Sequence, residues 1–323
     1  MNILVVRTDK LGDFITALPA VYVLKQHNIK NRIIVCVAPL NRALAESCEF
    51  IDEVIVDDGK SFWELVAKLK KAKIDASITL FSNTRVALAQ FVAGISKRIA
   101  PATKIAQIFY TKRVVQRRSE VKMAEFEYNL ELTRALFSNI NLEYKKPLLS
   151  FEDKEEIYRV FRANHDIQKD EIVAFHVGFG GSSDANWTLN EYEMFIREVI
   201  KKDKYQVVLT FGPDEKELYE EMQTRLYDVD VVFYISLEGL VYFAKLISNF
   251  KLFVSTSTGT YHVASLVGTP TMTFFADNLF SSAKRWKSVG DKSLQRHFMI
   301  PQDALKRERL FEEVKKELTI EKT

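Results

Sequence analysis

Residues 2–26, NILVVRTDKLGDFITALPAVYVLKQ, decide the fold. Asn2–Val6 is a short apolar run with the character of a buried strand, and Phe14–Gln26 continues with helical character. The connection between them, Arg7 to Asp13, is where a doubly wound α/β protein places its ligand loop. A dinucleotide fingerprint needs three glycines here, and this loop has only Gly12. Gly12 is expected to allow a tight turn. Asp13 then falls at the helix start, where two readings stay open. It can cap free N–H groups and meet the helix dipole, or it can act as a general base towards a hydroxyl.

Outward from this stretch the alternation repeats. Arg32–Val37, Glu53–Val56, the amphipathic run Phe62–Lys71 and Ser77–Phe81 follow, and Ala124–Phe137 reads as a long helix. Around Asn139–Leu149 the period is lost and Pro147 interrupts. A second series then begins. Ile172–His176, Gln206–Phe211, Val231–Ile235, Leu252–Ser255 and Thr271–Phe275 read as strands. Glu156–Ala163, Asn190–Lys201, Glu215–Leu226, Leu237–Asn249 and His262–Val267 lie between or beside them as helices. Strand-helix repetition predicts parallel sheets covered on both faces. The expected architecture is α/β, with two Rossmann-like, doubly wound domains at 1–149 and 150–323 that face each other across a cleft. Ligands in such folds lie at the C-terminal ends of strands.

Composition narrows the class. The chain has 323 residues, 47% hydrophobic and 28% charged, as expected of a globular protein rather than a disordered one. It has no run of about 18 apolar residues, and no basic-then-apolar leader opens it, so the expectation is a cytoplasmic protein. Cys36 and Cys48 sit in apolar runs, and the five histidines are scattered, so no metal is expected. The net charge of +3 is uneven. Eight basic residues from Lys97 to Lys122, including Arg113, Arg117 and Arg118, stand against one acid, Glu120. Such a stretch is either a solvated face or a docking surface for an anionic partner. Nucleic acid is not expected, because no nucleic-acid motif accompanies the charges.

Two further loops follow strands. His176-Val177-Gly178-Phe179-Gly180-Gly181-Ser182-Ser183 offers N–H groups and hydroxyls suited to a diphosphate, or is a plain flexible connection. It lacks the Gly-Lys-Ser/Thr ending of a Walker A loop. Ser255-Thr256-Ser257-Thr258-Gly259-Thr260-Tyr261-His262 clusters hydroxyls around a glycine before a helix, again an anion nest. His262 lies near any phosphate held there, or simply packs against the loop. Glu215 follows another strand and either accepts ribose hydroxyls or is an ordinary helix-start acid.

Taken together, these residues resemble glycosyltransferase family 9, the heptosyltransferases. Arg7 to Pro19 (R-T-D-K-L-G-D-x-x-x-x-L-P) is similar to that family's N-terminal signature, and Ser257 to Pro270 (S-T-G-T-Y-H-V-A-S-L-V-G-T-P) to its C-terminal one. Ala124–Leu136 resembles its helix before the domain crossover, and Gly180–Trp187 its phosphate loop. The resemblance implies a GT-B fold, with the acceptor on the N-terminal domain and the nucleotide sugar on the C-terminal one. It implies inverting, metal-free catalysis with no cofactor beyond the nucleotide-sugar co-substrate, ADP-heptose by analogy.

Asp13 matches the family's base. Ser257, Thr258, Gly259, Thr260 and His262, with Gly180, Gly181, Ser182 and Ser183, match its nucleotide-sugar and diphosphate positions, and Glu215 its ribose acid. Arg7, Lys10 and Gly12, joined by Arg113, Arg117 and Arg118, are the expected acceptor contacts. The implied partner is an anionic lipid-linked saccharide, Kdo-lipid A or heptosyl-Kdo-lipid A, met at the inner face of the cytoplasmic membrane. Two positions depart from the family pattern: Ala185 stands where lysine is common, and Ser257 where aspartate is common. They leave open a different donor sugar, or a silent module that binds a sugar nucleotide. A Rossmann oxidoreductase is disfavoured by the missing glycines.

Overall fold

A computed structural model describes residues 1–103, 105–179 and 186–319. It divides into two compact units, Met1–Leu148 and Leu149–Thr323. The first contains β1 (Asn2–Arg7), α1 (Leu11–His27), β2 (Arg32–Val37), α2 (Arg42–Glu46), β3 (Glu53–Val56) and α3 (Phe62–Lys71). β4 (Ala76–Thr79), α4 (Thr84–Val92), β5 (Lys97–Pro101), β6 (Lys112–Val114) and α5 (Glu125–Thr133) complete it. The second opens with α6 (Lys154–Asn164), β7 (Ile172–His176), α7 (Leu189–Ile200), β8 (Gln206–Phe211) and α8 (Lys216–Arg225). Next come β9 (Val231–Ile235), α9 (Leu240–Ile247), β10 (Leu252–Thr256), α10 (Gly259–Leu266) and β11 (Thr271–Ala276). α11 (Ala283–Trp286), β12 (Gln295–Ile300) and α12 (Ala304–Thr319) close the chain.

Each unit is built on a six-stranded sheet, ordered β3-β2-β1-β4-β5-β6 and β12-β11-β10-β7-β8-β9. All the strand pairings are parallel. Counted within its own unit, the second order is the same as the first, the order of a dinucleotide-binding sheet. The central strands are mostly apolar and buried along almost their whole length because helices cover both faces. Leu4, Val6, Ile34 and Cys36 form part of the core in unit 1. In unit 2, Phe175, Trp187, Phe195, Phe211 and Phe274 build a larger aromatic one.

The strand order reverses between β1 and β4 in unit 1 and between β7 and β10 in unit 2. Strand connections leave to opposite sides there, opening a crevice beyond the carboxyl ends of the strands. Thr8–Asp13 lies beyond β1. Residues 177–179 follow β7, and Ser257–His262 follows β10. The candidate loops thus fall at the two reversals.

The basic stretch is more ordered than a solvated face. It contains β5, the short edge strand β6 and a 3-10 turn, Ile105–Phe109. α10 also starts at Gly259, three residues before the expected His262, so the hydroxyl cluster is itself the helix start.

Candidate active site

In unit 1 the site is built around Arg7. It is the last residue of β1, only 4% exposed, and its guanidinium is shared between two carboxylates. Nε donates to Asp9 Oδ1 at 2.8 Å, and Nη2 donates to Asp13 Oδ1. The ring of Phe81, just past β4, lies 5.7 Å beneath the guanidinium. Arg7 was expected to touch the acceptor. Its burial instead commits it to holding Asp9 and Asp13.

Asp13 is the third residue of α1, not its cap. The cap position is Lys10, which is exposed and makes no side-chain cap bond. Asp13 is partly exposed and its Oδ1 is engaged by Arg7, so the capping reading does not describe it. Gly12 is also helical, the second residue of α1, so the turn expected there does not form. Asp9 has a different environment. Burial, with the Asp13 carboxylate adding to it against the opposing Arg7 charge, pushes the Asp9 carboxyl up to about 6.

A second layer supports this cluster. Thr16 donates to the Asp13 carbonyl at 2.7 Å, and Asn129 of α5 donates to the Thr16 carbonyl at 3.1 Å. Arg118 donates to Asn129 Oδ1 at 3.1 Å and to Glu125 Oε2 at 2.9 Å. Its guanidinium also lies 5.5 Å from the centre of the Tyr128 ring. Burial and the nearby Arg7 charge lower the Arg118 pKa, while Glu125 opposes them. Arg118, expected on a docking surface, is instead held against α5, whose Asn129 in turn meets α1. Arg117 behaves differently: it is 72% exposed and touches Glu120 at 3.4 Å. Arg113 is exposed on the edge strand β6.

In unit 2 the segment Ser257–His262, which forms the α10 start, contains no Asp, Glu, Lys or Arg. Thr258 is the cap residue, and its hydroxyl lies 2.8 Å from that of Thr260. Ser257 is anchored to the sheet by its N–H, which donates to the Phe274 carbonyl at 2.9 Å. First-turn N–H groups have no acceptor within their own helix, and with the dipole they favour an anion. His262 is only 3% exposed, and its Nδ1 lies 3.0 Å from Ser288 Oγ. Burial, with His297 nearby, lowers its pKa to about 3, so it is neutral at ordinary pH and contributes no cation to the nest.

A buried polar network anchors α10 from below. The Tyr261 hydroxyl donates to Gln295 Oε1 at 2.9 Å, lies 3.0 Å from His297 Nε2 and accepts from the Ser288 N–H at 2.8 Å. Gly290 passes so close to α10 that a Cβ would lie 2.4 Å from the Ser265 carbonyl oxygen.

Glu215 sits at the cap position of α8, beyond β8, and its Oε2 accepts from the Gly212 N–H at 2.6 Å. Its carboxylate also reaches across to Gly178, where a Cβ would stand 1.8 Å from Oε1. His176 Nε2 is 3.9 Å from Glu215 Oε2, and His176 Nδ1 lies 2.9 Å from the Thr210 carbonyl oxygen. In a dinucleotide-binding sheet, the acid after the second strand accepts ribose hydroxyls, and β8 is the second strand of this unit. Gly180, Gly181, Ser182, Ser183 and Ala185 lie outside the described residues.

Several of these partners were not singled out from sequence: Asp9, Thr16, Glu125, Asn129, Ser288, Gln295 and His297. Spacing held a signal for α5. Glu125, Asn129 and Thr133 recur every fourth residue on one helix face, and all three are buried. Such a stripe needs a polar partner, which Arg118 and Thr16 supply.

Two Rossmann-like sheets, each with polar groups at its strand-order reversal, have the layout of the GT-B fold. The profile of glycosyltransferase family 9 (heptosyltransferase) matches residues 62–313. A Haemophilus influenzae protein described as a candidate glycosyltransferase is 38% identical over 300 residues, covering 90% of this chain and 86% of that one. The solved E. coli ADP-heptose LPS heptosyltransferase II superposes with a TM-score of 0.80 at 18% identity, covering 99% of each chain. E. coli heptosyltransferase WaaC, solved with ADP, gives 0.71 at 16% identity, covering 97% of this chain and 99% of that one. The chain belongs to glycosyltransferase family 9 and is a glycosyltransferase. It shares the GT-B fold of those heptosyltransferases.

Proposed function

We propose that this enzyme transfers heptose from ADP-heptose, with inversion and without a metal, to a lipopolysaccharide inner-core acceptor, Kdo-lipid A or heptosyl-Kdo-lipid A. The observation that carries the reading is the Asp13 carboxylate. It is partly exposed at the strand-order reversal of unit 1 and is held there by the buried Arg7. Asp13 takes the proton of the acceptor hydroxyl as that oxygen bonds to the anomeric carbon. The bond from that carbon to the diphosphate breaks on the opposite side, and the electron pair leaves with ADP.

The charge that grows on the diphosphate is met by the first-turn N–H groups of α10 and by the hydroxyls of Thr258 and Thr260, groups already in place before the bond breaks. Glu215 accepts the ribose hydroxyls. Lys10 meets the acidic groups of the acceptor. The family and the ADP-heptose enzymes that share the fold support this reading.

The test is the initial rate of transfer to each acceptor with ADP-heptose and with UDP-glucose, in magnesium and in excess EDTA. Transfer from ADP-heptose at equal rates with and without the chelator is expected. ADP-heptose should also raise the melting temperature more than UDP-glucose does, by linkage to the native state. Ser257, which replaces a common sugar-binding aspartate, supports a second reading in which the donor is another nucleotide sugar. Transfer from UDP-glucose alone would select that reading. Nucleotide binding with no transfer from any donor would mark a silent module.

A further inference from the structure

The basic stretch of unit 1 is joined to an exposed apolar patch that its charges did not reveal. The 3-10 turn Ile105–Phe109 packs inward through Ala106, which with Tyr110 lies against Ala87 of α4 and Ala100 of β5. Residues three apart share a side in a 3-10 helix, so Ile105 and Ile108 point away from that contact together. They are 73% and 66% exposed. Phe91, at the end of α4, is also exposed, and its ring stands 5.9 Å from that of Phe109. Single exposed apolar side chains are ordinary, but three large ones on two packed elements call for a partner.

The sheet places cations around this patch. Arg113 of β6 pairs with Ala100 of β5 and therefore lies on the face of the sheet that carries α4 and the turn. Side chains alternate along a strand, so Arg98, two residues before Ala100, belongs to the same face. Its guanidinium lies 5.3 Å from the Phe91 ring centre. The one acid of the stretch, Glu120, is already engaged by Lys122 and Arg117.

We propose that this patch seats the enzyme on an anionic membrane leaflet, with Ile105, Ile108 and Phe91 entering the headgroup region and Arg98 and Arg113 meeting lipid phosphates. Charge selects this occupant. A second copy of the chain would bring the same basic patch against itself, whereas an acidic leaflet complements it. The inference deepens the functional reading above and rests on it only for the setting, since a lipid-linked acceptor is met at a membrane.

The experiment is flotation of the full chain with vesicles of phosphatidylcholine alone, or mixed with phosphatidylglycerol, at low and high salt. No nucleotide sugar or saccharide is present, so the result is independent of the donor and acceptor assignments. The parent is expected to float with mixed vesicles only, and to be released by salt as screening shortens. Ile105→Ser/Ile108→Ser should weaken partitioning by about tenfold or more, while its rate with a water-soluble acceptor stays parental. Should that variant fold poorly, Phe91→Ser carries the same test, with a smaller expected loss.

Three results would overturn the proposal. The parent could fail to float with acidic vesicles at low salt. A folded variant could float as the parent does. Or sedimentation equilibrium could reveal a dimer that the isoleucine variant dissolves, with no binding to vesicles.

Discussion

The two units share one strand order and place opposite chemistry at its reversal. Unit 1 carries ionic groups there: Arg7 between Asp9 and Asp13, with Arg118 and Glu125 behind. At the α10 start, unit 2 carries hydroxyls and backbone N–H groups backed by histidines held neutral, among them His262 at about 3 and His297 at about 4. In the transfer proposed above, a proton must be taken up and a leaving charge absorbed. A fixed carboxylate suits the first task. An uncharged, rigid helix start suits the second, because it holds an anion without a side chain that must be neutralised or moved.

The sharpest way to break this comparison is at the base. Asp13→Asn is close in shape and retains an oxygen for Arg7, so the variant should fold. Its turnover should fall by about two to four orders of magnitude. Turnover at the parental rate would reduce Asp13 to a helix-start residue held by an arginine.

Next in size is the support behind it. Glu125 and Arg118 form a largely buried ion pair. Glu125→Ala leaves the cation without its partner and should cost about 3–5 kcal/mol in a denaturant titration. Arg117→Ser, which removes an exposed contact of the same basic stretch, should change stability by less than about 0.5 kcal/mol. Equal costs would dissolve the distinction between the interior and exposed arginines.

Acid should then separate the units. His262 and His297 bind protons more readily unfolded than folded, so unit 2 loses stability as pH falls from about 6.5 towards 4. Each pH unit in that window costs about 1.4 kcal/mol per depressed histidine. Asp9 has the opposite sign. Its raised pKa means that the folded chain binds the extra proton between about 4 and 6, so acid favours unit 1 over that range. Trp187 lies in the core of unit 2, and its fluorescence reports that unit in a chain whose Trp63 and Trp286 are replaced by phenylalanine. The denaturant midpoint read from Trp187 should fall between pH 7 and 5 by more than that of unit 1, read from hydrogen exchange of β1 and β4. A common shift in both units would contradict the assignment.

The smallest effect is expected at Gly178. A methyl group there collides with the Glu215 carboxylate, which is flexible and can move aside. Gly178→Ala should therefore fold normally and weaken nucleotide binding several-fold, with turnover at saturating donor near the parental value.

Much of the fold was legible because parallel sheets covered on both sides write their strands as continuous apolar runs. Ile172–His176, Gln206–Phe211 and Val231–Ile235 have the same limits in the structure as in the sequence reading. β6 and β12 were hidden by composition. β6 is three residues long and begins Lys-Arg, while β12 opens Gln-Arg-His, whose side chains find partners only after folding.

The site was legible as segments but not as contacts. R-T-D-K-L-G-D marks its place, yet nothing in the spacing says that Arg7 turns inward to serve both acids. The hydroxyl run after β10 was readable as an anion nest. The neutral state of His262 comes from its burial, with His297, 35 residues further along the chain, adding to it. Arg117 and Arg118 are neighbours with identical chemistry, and only the polar stripe on α5 distinguishes them.

The division of labour is tested most directly by titrating ADP calorimetrically into the parent, Asp13→Asn and Thr258→Val, with transfer from ADP-heptose measured on the same preparations. Asp13→Asn should bind ADP with the parental Kd and lose turnover, while Thr258→Val should lose ADP affinity. Loss of ADP binding in Asp13→Asn, or parental affinity in Thr258→Val, would contradict the assignment of proton transfer to unit 1 and diphosphate binding to unit 2.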